Sequence, residues 1–327
     1  MSTATTTPEA GTVAGTASGP LRGTVWLVWR RHRAALLTGI LVTLAACALF
    51  SYQRIGLMEY LGTKTAGLGS SGDDFRIRFG GTFEADIQFL EAVPLIVAAF
   101  LGAPLISSEL ERGTLQLVTT QSVSRGRWLA STLAVPLALV AACTLLLSLV
   151  FRWLWLPGHE LIVSGDWLNS GPFDATGPVL VAKTLFVTAC GIALGKLIKR
   201  MIPAMVATAF TVVVVDVIWS DKVRPKLGTL HNLTYPINGE SPGVPRGAIQ
   251  MDDWVATADG RLFGFSTCVG DAKPEACRAS KGIVNHVTQY YNFDQMPGMQ
   301  WLGAGILLAL TALVLAFVVW RATRRPL

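Results

Sequence analysis

"PLISSELERGTLQLVTTQSVSRGRW", residues 104–128, is a polar, charge-bearing interruption between two long apolar runs. A chain that leaves a bilayer and at once returns to it produces such a pattern, and the composition agrees. Of 327 residues, 51% are hydrophobic and only 15% charged, whereas soluble domains carry about 25% charged residues. Mean hydropathy is +0.48. Six stretches, at about 34–53, 87–106, 128–151, 177–196, 201–219 and 299–320, reach the roughly 20 apolar residues a spanning helix needs. Pro94, Pro104 and Pro136 fall inside the second and third, where neighbouring groups can re-satisfy the freed carbonyls. Only "KLIKRM" separates the fourth and fifth, which must form an antiparallel hairpin. The expectation is an all-α membrane protein with six transmembrane helices.

Lysine and arginine placement sets the orientation. With the N-terminus inside, the inner segments hold 13 basic residues against three acids, Glu9, Glu109 and Glu111. The outer loops 54–86 and 152–176 hold five basic residues against eight acids. Both termini are therefore expected in the cytoplasm. The formal net charge of +6 is not spread as a patch for an acidic partner, and no nucleic-acid partner is expected.

Residues 1–20 have no apolar h-region and read as a disordered cytoplasmic tail. Residues 21–219 carry an interfacial helix and helices one to five, and 299–327 carry helix six and a cytoplasmic tail. Between them, 220–298 is expected as an extracellular domain. It is rich in Gly, Pro, Asn and Asp, with "YPINGESPGVPRG" reading as successive turns. It holds Cys268 and Cys277, while Cys47, Cys143 and Cys190 fall inside predicted spans. On the oxidising side a Cys268–Cys277 disulfide is expected, with two unpaired thiols as the alternative.

The nearest approach to a nucleotide motif is "GIALGKL", residues 191–197. A P-loop needs four residues between its glycines and Ser or Thr after the lysine; here there are three, and Leu197 follows. Gly191 and Gly195 fit better as a small face that lets helices approach closely. The four histidines lack metal-ligand spacing, "GHELIV" lacks the second histidine of a zinc-protease helix, and no Gly-x-Ser-x-Gly elbow occurs. No catalytic, metal or cofactor site is expected.

Glu91, Lys183 and Asp216 are ionisable residues within spans, costly unless they face the bundle interior and pair. Lys183 and Asp216 fall at matching depths on antiparallel neighbours, so a structural ion pair is one reading. A polar substrate lining that includes Glu91 is the other. Before the first span, Trp26, Trp29, Arg30, Arg31 and Arg33 suit an interfacial helix at the headgroups, unless the segment simply prolongs span one.

In the opening stretch, Ser107 or Ser108 can cap a helix start, with Glu109 and Glu111 in its first turn. Leu110, Thr114, Leu117, Val118 and Gln121 then form a narrow apolar stripe. Either the lipid interface or a partner's groove buries it. Arg112 would set register in such a groove and Gly113 permit close approach. Arg125, Arg127 and Trp128 anchor the re-entry.

Three segments, "GAPLISSELERGTLQLVTTQSVSRGRWLASTL" (102–133), "WLVWRRHRAALL" and "YYNFDQMPGMQWLGAGILLAL", resemble the ABC-2 type permeases, most closely the actinobacterial branch. The resemblance implies a multi-pass plasma-membrane permease subunit paired with a separate ABC ATP-binding subunit, which would hold the ATP and magnesium. It implies a second permease subunit, a homodimer in the simplest case, in contact with membrane lipids. It makes 107–121 a cytoplasmic coupling helix between helices two and three. The cargo would be an amphiphilic or hydrophobic antibiotic, peptide or lipid moved outward. The alternative is a sensor of an extracellular antibiotic or peptide without net transport.

Overall fold

The computed structural model describes residues 20–65, 72–111, 125–159, 161, 166–169 and 171–324. Six helices long and apolar enough to cross a bilayer occupy Arg33–Thr63, Asp74–Glu111, Thr132–Gly158, Pro178–Ile198, Met201–Lys226 and Phe293–Ala322. Each lies over one of the six apolar runs. The first two extend well past their runs: α1 (Pro20–Thr65) and α2 (Gly72–Val97) carry helix into both ends of the segment 54–86 that the sequence reads as an outer loop.

α1 corrects a further expectation. It runs unbroken for 46 residues, about 69 Å at 1.5 Å per residue. No Pro interrupts Leu21–Arg33, and the helical hydrogen bonds simply continue, so there is no separate interfacial helix. Trp29, Arg30 and Arg33 are exposed on this extension. The side chains of Trp26, Arg31 and Trp128 lie outside the described residues, as do the tail 1–19 and residues 112–124.

α2 widens into a π turn at Ala98–Gly102 before α3 (Ala103–Glu111). Pro104 has no N–H to return to the previous turn, and the wider turn accommodates its ring. The Ser107 hydroxyl donates to the Ala103 carbonyl (2.8 Å), a mid-helix contact. The expected helix start at Ser107 or Ser108 is therefore wrong, because the helix is already running and Glu109 and Glu111 are not in a first turn.

α4 (Arg125–Trp155) precedes a one-turn helix, α5 (Pro172–Ala175), then α6 (Pro178–Ile198), α7 (Met201–Ile218) and finally α9 (Met296–Arg324). α6 is the axis of the bundle, packing against α2, α3, α4, α7 and α9. Small residues make that possible. A Cβ on Gly191 would lie 2.8 Å from the Ala98 carbonyl oxygen, and one on Gly195 would strike that of Ala103. The GxxxG of "GIALGKL" is thus a backbone-to-backbone contact.

The connection between α7 and α9 overturns the all-α expectation. It holds an antiparallel sheet ordered β1-β4-β2-β3: β1 His231–Pro236, β2 Ile249–Thr257, β3 Leu262–Gly264 and β4 Ile283–Tyr291. Register is fixed by pairs such as His231 with Tyr290 and Trp254 with Val287. Bulges near Gln250/Asp252 and Ala256/Thr257 break the period-two pattern of β2, and so conceal it in the sequence. Cys268 and Cys277 form a disulfide that ties the chain after β3 to α8 (Pro274–Lys281). Val255, Cys268 and Ile283 make a small core there. Ile249 and Tyr291 join the main core with Met296 and Met299, rooting the sheet on the bundle.

Candidate functional site

The sequence "GPFDATG", residues 171–177, builds the most unusual part of the interior. Gly171 (φ 97°) and Gly177 (φ 68°) both have positive φ and bracket the single turn of α5, a backbone that suits residues without Cβ. The whole piece is buried, so its backbone groups need protein partners. Gln300 Nε2 donates to the carbonyls of Phe173 and Thr176 (both 2.9 Å) and to Thr176 Oγ1 (3.0 Å). Ser148 Oγ donates to the Gly177 carbonyl (2.6 Å). Helices α4 and α9 thereby hold this one-turn helix and its irregular flanks inside the bundle.

That segment delivers Asp174, 5% exposed, to a charge cluster. Lys183 Nζ lies 3.3 Å from Asp174 Oδ2 and 2.8 Å from Asp216 Oδ1. Arg224 Nη1 lies 3.4 Å from Asp174 Oδ2, and Trp219 Nε1 donates to Asp174 Oδ1 (2.8 Å). Two cations face two carboxylates, so the four balance. Lys183 and Asp216 were visible in the sequence; Asp174 and Arg224 were not. Both were placed in outer segments, because the folding of 171–177 into the bundle and the continuation of α7 through the π turn Trp219–Val223 leave no hydropathy signal. Asp86, buried and accepting from Gln53 Nε2 (3.2 Å) between α2 and α1, was read as part of the outer loop 54–86, because the extension of α2 ahead of its apolar run leaves no hydropathy signal.

Glu91 stands at the edge of this cluster, within electrostatic reach of Lys183, Asp174, Arg224 and Asp216. It also lines a cleft of about 420 Å³ between the first turns of α2, the end of α4, residues 166–172 and Gly247. Phe75, Phe83, Trp155 and Trp167 border it but are themselves at most 5% exposed. Trp167 Nε1 donates to the Gly247 carbonyl (3.0 Å), closing the cleft against the sheet. Nearby, the Tyr291 hydroxyl donates to the Pro225 carbonyl, and burial pushes its pKa up, which keeps that donor protonated.

At the opposite end of the bundle, Leu110 packs with Leu105, Ile106, Leu133 and Ile192 instead of facing outward. Glu109 is 3% exposed. Glu111 Oε2 accepts from the Met201 N–H (3.0 Å), a carboxylate on the first turn of α7, where helix N-terminal amides favour negative charge. Three residues expected to face a partner, Glu109, Leu110 and Glu111, are thus buried or engaged within this chain. Arg112, Gly113, Thr114, Leu117 and Val118 lie outside the described residues.

A family model described as "ABC-2 membrane transporter related" matches residues 24–224. The chain belongs to that family. No curated protein and no solved structure matches it. It is a multi-pass plasma-membrane permease, a transport subunit of the ABC type rather than an enzyme. The match ends at Arg224, so the disulfide-bearing sheet of this permease lies beyond the family's matched region. The buried charge cluster and the one-turn α5 lie within it.

Proposed function

We propose that this permease is the membrane half of an exporter driven by ATP hydrolysis in a separate subunit. The observation that carries the reading is the family match together with the place of the chain's nearest P-loop look-alike. "GIALGKL" is part of a straight helix whose glycines touch the backbones of Ala98 and Ala103. Amides committed to a helix cannot wrap a phosphate chain. Energy must then enter from outside the chain.

An amphiphilic cargo is supported by two features. The acidic cleft lies beside the sheet, and an apolar groove of about 330 Å³ runs between α1, α2 and α4, with Leu36, Phe89, Val93 and Leu147 in its walls. Lysine and arginine placement favours the sheet on the outer side. Transport then means passage toward the sheet end, with two permeases, copies of this chain in the simplest case, enclosing the path. The chain itself holds no ATP or magnesium in this reading.

The deciding experiment is co-purification with the ATPase partner, reconstitution in liposomes and measurement of ATP-dependent cargo movement. Ligand-stimulated hydrolysis with accumulation on the sheet side is the expected result. Stimulated hydrolysis without net movement would replace the exporter reading with a sensor. A single cysteine at Ser241, in a chain lacking Cys268 and Cys277, should react with impermeant maleimide in intact cells. Protection there, with labelling at a cysteine placed at Ser122, reverses the orientation.

A further inference from the structure

We propose that an anionic phospholipid occupies the groove between α6, α7 and α9, with its phosphate held beside Arg321. The site lies at the end of the bundle opposite the sheet and does not depend on the transport reading.

Three observations converge on that ligand. The first is the groove. It measures about 400 Å³ and is lined by Cys190 and Leu194 of α6, Thr211 of α7, and Leu313, Val314 and Phe317 of α9. All of them lie within membrane-spanning segments, so a lipid chain or another helix must cover it. Its wall is accessible, with Leu313 67% and Phe317 42% exposed. Leu313, Phe317 and Arg321 recur every four residues, so the groove follows one stripe of α9 up to a cation.

The second is charge. Lys196, 7% exposed, donates from Nζ to the Val318 carbonyl (3.0 Å), and Arg321 stands within electrostatic reach of it. Neither cation makes an ion pair among the described residues. Of the described carboxylates at this end, Glu111 is held on the Met201 N–H and Glu109 is buried. Cations within spans ordinarily have a counter-charge. Arg321 is half-buried, with part of its surface open, and a guanidinium can hold a phosphate bidentately. Lys196 stays on Val318 and contributes its field.

The third is depth. Lys196 and Arg321 both fall in the last turn of their spans, which end at Ile198 and Ala322. Trp320 is there too, 50% exposed, with its ring 6.2 Å from that of Phe317. Tryptophan and arginine collect at headgroup depth, and basic pockets between spanning helices bind anionic headgroups. A second copy of the chain, lying in the bilayer in the same orientation, would bring its own Lys196 and Arg321 to this depth, cation against cation. A lipid phosphate brings the missing negative charge instead.

The test is native mass spectrometry of the full-length permease in a non-ionic detergent, titrated with phosphatidylglycerol or with phosphatidylcholine of the same acyl chains. The expected result is a first phosphatidylglycerol per chain bound at least about tenfold tighter than phosphatidylcholine, since each nearby cation contributes about fivefold. Arg321→Gln should weaken phosphatidylglycerol about fivefold and leave phosphatidylcholine unchanged. Leu313→Trp, at an exposed position that folding tolerates, fills the groove and should weaken both lipids alike. Arg152→Gln removes an exposed cation at the sheet end of α4 and should change neither. Equal affinity for the two lipids, unchanged phosphatidylglycerol affinity in Arg321→Gln, or an equal loss in Arg152→Gln overturns the proposal. Unchanged lipid binding in Leu313→Trp together with loss of a dimer would overturn it in favour of a second copy in the groove.

Discussion

Replacing Lys183 by methionine removes one of two cations from a cluster balanced at two against two. Asp216 then loses its one ion-pair partner among the described residues, and Asp174 keeps Arg224 at 3.4 Å and the Trp219 indole at 2.8 Å. Breaking a buried pair costs about 3–5 kcal/mol. The Asp216 side chain is 39% exposed and Asp174 remains held, so the lower end applies, about 3 kcal/mol. Asp216→Asn is milder. Lys183 still contacts Asp174 at 3.3 Å, and the partial exposure of Asp216 limits the loss to about 1–2 kcal/mol. The double substitution leaves Asp174 and Arg224 as a matched pair and should cost about 2 kcal/mol, less than the two singles added. Thermal and denaturant unfolding of the purified permease in one detergent, read by tryptophan fluorescence, gives all three values. Additive losses, or Asp216→Asn costing more than Lys183→Met, would refute the reasoning that one lysine serves both carboxylates.

Three further outcomes are expected. Gly171→Ala forces a Cβ onto a residue at φ 97° and into Ile87 Cγ2, so it should cost about 1–3 kcal/mol in the same unfolding assay. Glu111→Ala removes the acceptor for the Met201 N–H; a loss of about 1 kcal/mol is expected, with Glu111→Asp recovering part of it. Alkylation under denaturing, non-reducing conditions should modify three of the five cysteines, Cys47, Cys143 and Cys190, and mass spectrometry after reduction should show all five.

What the sequence determined by itself was the membrane architecture. The cost of leaving backbone groups unpaired in hydrocarbon makes long apolar runs helical whatever surrounds them, so six spans followed from composition along the chain. Gly191 and Gly195 were legible as a close-packing face because a missing side chain has one main use between helices. Lys183 and Asp216 were legible as partners because equal depth on adjacent antiparallel helices is a matter of counting. The tertiary structure decided what depends on contacts distant in sequence. The strands of the sheet pair across bulges and tens of residues, so their alternation is blurred and turn residues dominate the reading of 220–298. Asp174 and Arg224 become interior charges only because 171–177 folds into the bundle under Gln300 and Ser148. Glu111 becomes a cap only because α7 begins beside it. The cleft at Glu91 draws its walls from α2, α4, residues 166–172 and the sheet. No single stretch of sequence carries a site whose atoms meet only after the helices have packed.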